Sequence, residues 1–101
     1  MTALQRLTQW YAKQCNGDWE HSYGFEIGSL DNPGVSVCVD LRETQLEAVP
    51  FVEKKDNYES VDKWMICMRT ADQFQGRGAA CRLEDIIEEF LRWAERNEGR
   101  S

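Results

Sequence analysis

From Tyr23 to Gly28 and again from Val35 to Leu41 the chain alternates with a period of two, and Asn32-Pro33-Gly34 supplies a turn between the two stretches. Tyr23, Phe25 and Ile27 alternate with Gly24, Glu26 and Gly28; then Val35, Val37, Val39 and Leu41 alternate with Ser36, Cys38 and Asp40. Such a period puts every second side chain on one face of an extended strand. Pro33 pre-sets φ at the second corner of a turn and Gly34 accepts a positive φ at the third, so the interruption reads as type II. Two alternating strands joined by that turn make an antiparallel hairpin.

The flanks carry a helical period instead. Over residues 3–15, Leu4, Leu7 and Tyr11 recur at i, i+3 and i+7, Thr2 is placed to cap the start, and Asn16-Gly17 ends the run. From Leu83 to Asn97, residues Leu83, Ile86, Ile87, Phe90, Leu91 and Ala94 share one stripe, with Gly99 as the stop. Glu84 and Asp85 stand in its first turn and Arg92 and Arg96 in its last, as the helix dipole prefers.

Between hairpin and final helix the signals weaken. Thr44–Phe51 reads as a strand limited by Pro50 to an edge or an end, and residues 53–57 as a charged loop. Lys63–Thr70 is apolar on both faces, which predicts a central strand, and Gln75–Ala79 reads as a turn. The expected fold is α+β: a four-stranded antiparallel sheet with an N-terminal and a C-terminal helix packed on one face. At 101 residues, 1–101 form a single domain.

Composition narrows the function classes. A net charge of −6 argues against nucleic-acid or anionic-membrane partners, which require a basic footprint, and favours steering of a basic protein. No basic stretch followed by an apolar run opens the chain and no run is long enough to span a membrane, which predicts a cytoplasmic protein. Cys15, Cys38, Cys67 and Cys81 form no close pair, and there is one histidine, so no metal or cofactor is expected. Reduced, buried cysteines are the expectation in that compartment.

Polar chemistry concentrates in Cys15-Asn16-Gly17-Asp18-Trp19-Glu20-His21, inside a window from Gln14 to Leu41 that holds five acids and neither Lys nor Arg. An enzyme reading pairs Cys15 with His21 as nucleophile and base, with Asp18 or Glu20 orienting the imidazole. Against it, Cys15 stands at a helix C-terminus, where the dipole disfavours a thiolate. Gly76-Arg77-Gly78 is too short and wrongly placed for a phosphate loop. Trp10 and Trp93 read as core, whereas Trp19, between two carboxylates, is expected to expose an edge.

With both helices on one face, the other meets solvent or a partner. The outward hairpin positions are then small or acidic, Glu26 and Asp40 among them, and either Trp64 or the Met65/Cys67 pair joins them. An ordinary solvated face fits this pattern, and so does an acidic docking platform with aromatic anchors.

The run Trp10-Tyr11-x-x-Gln14-Cys15-Asn16-Gly17-Asp18-Trp19-Glu20-His21-Ser22-Tyr23-Gly24, followed by Leu30-Asp31-Asn32-Pro33-Gly34, resembles the immunity protein 53 family of bacterial polymorphic toxin systems. The likeness continues through Trp64, Phe74-x-Gly76-x-Gly78, Leu83 and Phe90-x-x-Trp93. Val35 stands where that family often carries Trp after the turn. The resemblance implies a cytoplasmic, non-enzymatic inhibitor that binds a cognate toxin domain. Asp18, Trp19, Glu20, His21, Glu26, Asp40 and Trp64 are the expected partner-binding residues. The alternative is a small enzyme or ligand-binding domain using Cys15, Asp18, Glu20 and His21.

Overall fold

Thr2 opens the first helix by a reciprocal cap: its hydroxyl accepts from the Gln5 N–H, and the Gln5 side chain accepts from the Thr2 N–H. A computed structural model describes residues 1–97 and gives α1 (Ala3–Gln14), a short α2 (Trp19–Ser22), β1 (Phe25–Leu30), β2 (Gly34–Asp40) and β3 (Lys54–Asp56). There follow β4 (Met65–Arg69), β5 (Gln73–Gly78), a 3-10 turn at Ala80–Arg82 and α3 (Leu83–Arg96). The Gly99 stop lies outside the described residues. The fold is α+β as expected, with one five-stranded antiparallel sheet in the order β1-β2-β5-β4-β3.

The inward residues Val37 and Val39 of β2, Phe74 of β5, and Met65 and Cys67 of β4 meet Ile86, Ile87 and Phe90 of α3 and Leu7 of α1. Trp10, half-buried, packs edge-on against Phe90 at 5.0 Å between ring centroids. Arg6 ties the helices together across their solvent side, reaching Glu88 and Glu95 at 2.8 Å each.

The extra strand is β5, where a turn was expected. Its period of two was hidden because the inward positions after Phe74 are Gly76 and Gly78 rather than branched apolar residues. Those glycines are where α3 comes down on the sheet. A Cβ on Gly76 would sit 2.2 Å from Ile86 Cγ2, and one on Gly78 would sit 2.9 Å from the Trp64 carbonyl oxygen.

Three other expectations are corrected. Gly34 takes no positive φ; it begins β2 opposite Leu30, and a Cβ there would lie 2.5 Å from the Gly78 carbonyl oxygen. Close approach of backbone, rather than a type II corner, is what keeps that position small. Thr44–Phe51 is a series of turns, because its carbonyls find a partner other than a neighbouring strand. The Arg69 guanidinium donates to the carbonyls of Leu46, Glu47 and Val49, while Phe51 wedges between Phe74 and Trp93 at 5.4 and 5.2 Å. The charged loop instead supplies the edge strand β3, which pairs with β4 in the register Lys54 to Cys67.

Gly76→Ala tests the seating of α3. The added methyl must displace Ile86 from a close-packed core, so the variant should lose about 1–3 kcal/mol in urea unfolding. Unchanged stability would show that α3 does not rest on β5 in this way.

Candidate functional site

The Cys15–His21 block folds into a knot whose polar groups face one another. Asn16 Oδ1 accepts from the N–H groups of Asp18 and Trp19 at 2.9 Å each. Glu20 Oε1 accepts from the Asn16 N–H at 2.9 Å, and Glu20 Oε2 accepts from the Gly17 N–H at 2.9 Å. α1 ends at Gln14, with Cys15 already extended, and Gly17 at φ +97° then turns the chain into α2. Backbone N–H donors, the residue's own first and then those of Asn16 and Gly17, hold the Glu20 carboxyl below the ordinary glutamate range; partial desolvation opposes them.

Trp19 is only 2% exposed, which corrects the expected open edge. Its indole N–H donates to the Arg42 carbonyl at 2.8 Å, and its ring packs against Trp10, Tyr11 and Tyr23 at 5.8–6.3 Å. The polar handle that suggested an interface residue is satisfied by the chain itself. The sequence shows the indole but not the carbonyl 23 positions away that accepts its proton.

The enzyme constellation is not assembled. Cys15 Sγ donates to the Tyr11 carbonyl at 3.4 Å, back along its own helix, while His21 is exposed. All four cysteines are free, as expected, but only Cys67 is fully buried, and Cys81 is exposed. Burial pushes the Cys67 thiol up to about 12 and raises that of Cys38. Neither is a ready nucleophile at neutral pH. No cluster of three His, Cys, Asp or Glu side chains with metal-binding geometry occurs among the described residues.

The other expected residues lie on or beside the face of the sheet that the helices leave open. Glu26 stands opposite Cys38, and Cys38 opposite Gln75, so this row runs outward across β1, β2 and β5. Asp40 is partly committed: Oδ2 accepts from the Gly24 N–H at 2.8 Å and Oδ1 from the Gln73 amide at 2.9 Å. A polar concavity of about 380 Å³ gathers Glu20, His21, Glu26, Cys38 and Asp40, so the structure brings four of the seven expected residues together. Asp18 is exposed outside it.

Trp64 belongs to a second, larger concavity of about 580 Å³ that shares Cys38 with the first. Met65 and Cys67 turn inward, so the two-way choice on β4 resolves to Trp64 outward, with Ile66 and Met68 following at a period of two. Tyr58 closes on Trp64 edge-on at 6.3 Å, and Leu30 and Asp31 bound the far side. Ile66, Met68, Tyr58, Gln75 and Arg77 were not singled out from the sequence. The alternation of Trp64, Ile66 and Met68 was visible there, but β5, which joins them to the hairpin, was not. The open face is therefore apolar over β4 and acidic over β1 and β2, with exposed Arg77 between.

Comparison with known proteins adds one match. The sequence model of the family described as Immunity protein 53 matches residues 4–95, nearly the whole chain. No curated protein and no solved structure matches.

The knot makes a prediction about acid stability. Because the Glu20 pKa is depressed by folding, its contribution is present above the unfolded value near 4.3 and is lost as pH falls through the lower folded value. Glu20→Gln should be less stable than the parent at neutral pH, and the gap should close as pH is lowered through and below that range. Parallel curves with a constant gap would remove the carboxylate from the account. Trp19→Ala should lose about 3–5 kcal/mol of folding stability by chemical denaturation, as a buried aromatic does. A cost below about 1 kcal/mol would contradict the burial.

Proposed function

This chain belongs to the Immunity protein 53 family, and on that premise we propose that it binds and neutralises a cognate bacterial polymorphic toxin domain through the open face of its sheet. The observation that carries this reading is the uncovered face itself. It offers half-exposed Trp64, Ile66 and Met68 on a rigid strand beside the carboxylates of Glu26, Asp31 and Asp40. Aromatic and Met side chains that a partner can bury supply affinity, whereas surrounding charge supplies encounter rate and selectivity.

Inhibition is by occlusion, with no catalysis by this chain. Asp18, His21, Glu26, Asp40 and Trp64 are the contact residues, while Trp19 and Glu20 act indirectly by fixing the knot beside them. The net charge of −6 suits a basic enzyme such as a nuclease, whose phosphate-binding groups the carboxylates would meet. The protein works in the cytoplasm of the producing cell; among the described residues no helix is long and apolar enough to cross a membrane. The alternative enzyme reading lacks an activated nucleophile, since Cys15 is turned to Tyr11 and burial raises Cys38.

Two measurements with a cognate toxin domain test the proposal. Trp64→Ala should weaken binding by about 2 kcal/mol or more with its melting temperature close to the parent's. The association rate should fall about tenfold or more between low salt and roughly 0.15 M, while dissociation changes little. Full-strength binding by Trp64→Ala would take the interface off this face, and a salt-independent association rate would remove charge steering.

A further inference from the structure

The two edges of the sheet are built differently. β3 closes one side with only three residues, two of them lysines, and Lys54 is held to Glu89 of α3 at 2.7 Å. Short length and lysine are devices by which natural sheets blunt an edge against further pairing. β1 closes the other side with six residues, Phe25 to Leu30, and carries no Lys, Arg or Pro. It is exposed from Glu26 through Ser29, and its side chains there are short apart from Glu26 and Ile27.

The ladder fixes which backbone groups look outward. The Asp40 N–H donates to the Gly24 carbonyl at 2.9 Å, so that pair is hydrogen-bonded. Bonded and non-bonded pairs alternate along an antiparallel ladder. In the observed register Glu26, Gly28 and Leu30 therefore exchange bonds with Cys38, Ser36 and Gly34. Phe25, Ile27 and Ser29 turn their N–H and C=O groups to the open edge. No hydrogen bond joins those groups to any described residue. Ile27 adds an apolar side chain, 38% exposed, at the centre of the row.

We infer that β1 receives an extended, basic segment of the toxin as a sixth strand, which continues the sheet and places the toxin body over the open face. This rests on the toxin-binding reading above and states how that partner is held. Charge selects the occupant. Glu26 projects near the start of the edge, Asp31 follows its end, and no Lys or Arg occurs from Gln14 to Leu41. A second copy paired along β1 would set these like charges side by side, whereas a basic strand meets opposite ones. Main-chain bonds to Phe25, Ile27 and Ser29 hold the segment regardless of its side chains, and Glu26 selects its charge.

Amide exchange read residue by residue by NMR tests this, on the full chain alone and mixed with a cognate toxin domain. In the free chain Glu26 and Gly28 should be protected by the β1–β2 ladder, and Phe25, Ile27 and Ser29 should exchange fast. In the complex those three should slow by roughly tenfold or more. Ile27→Pro removes one outward N–H and leaves the β1–β2 bonds intact, so it should weaken binding by roughly tenfold or more with an unchanged circular dichroism spectrum. If that variant does not fold, the exchange measurement on the parent decides alone. A complex in which the three amides still exchange fast overturns strand addition and leaves toxin binding standing. No complex overturns both. Protection that grows with concentration in the chain alone assigns the edge to a second copy and overturns the stated occupant.

Discussion

Everything else in this fold depends on how closely α3 lies against β5. Gly76 presents bare backbone to Ile86, and no side chain fits between them. That contact brings Ile86, Ile87 and Phe90 down onto Val37, Phe74 and Cys67, and all six are at most 1% exposed. Leu7 and Trp10 of α1 then join the same layer against Phe90. With both long helices on one side, the opposite face is left without a cover. The uncovered face is thus a consequence of the packing and not a separate feature.

The charges follow the same division. Many cations are committed within the fold: Arg6 to Glu88 and Glu95, Lys54 to Glu89, Arg42 to Asp72, Arg82 to Asp56, and Arg69 to the carbonyls of the turns after β2. Most of these pairs lie on the helix side or the rim and bind elements to one another. The carboxylates at the hairpin end of the open face, Glu26 and Asp31, form no ion pair among the described residues. Glu26 and Asp31 therefore leave unneutralised charge on the same face that shows Trp64, Ile66 and Met68. Apolar anchors beside steering charge suit a fast, tight protein partner.

The hairpin, both long helices and the Thr2 cap were legible because each is written in local periodicity or a cap residue within three or four positions. β5 was not, since its inward residues are glycines chosen for a distant helix, and a missing side chain leaves no pattern. Thr44–Phe51 misled for the converse reason. Its apolar spacing is real, but Arg69, some 20 residues away, satisfies its carbonyls. The placement of the candidate residues was half visible. Glu26, Asp40 and Trp64 follow from strand parity once the layering is assumed. Trp19 and Glu20 look like surface chemistry in the sequence, and only the fold shows the Arg42 carbonyl and the Asn16 and Gly17 amides that engage them.

In the proposed complex the toxin sits on the face opposite the helices, and the Cys15–His21 knot supports that face from within. Oxidative footprinting of the chain, free and bound to a cognate toxin domain, separates the surfaces because the reactive side chains lie on different ones. Tyr58, Trp64 and Met68 report on the open face, Trp19 on the knot, and Leu4 and Met1 on the helix side. Tyr58, Trp64 and Met68 should lose reactivity in the complex, Trp19 should stay unreactive throughout, and Leu4 and Met1 should not change. Protection of Leu4 and Met1 with Trp64 and Met68 still reactive would contradict that placement of the toxin.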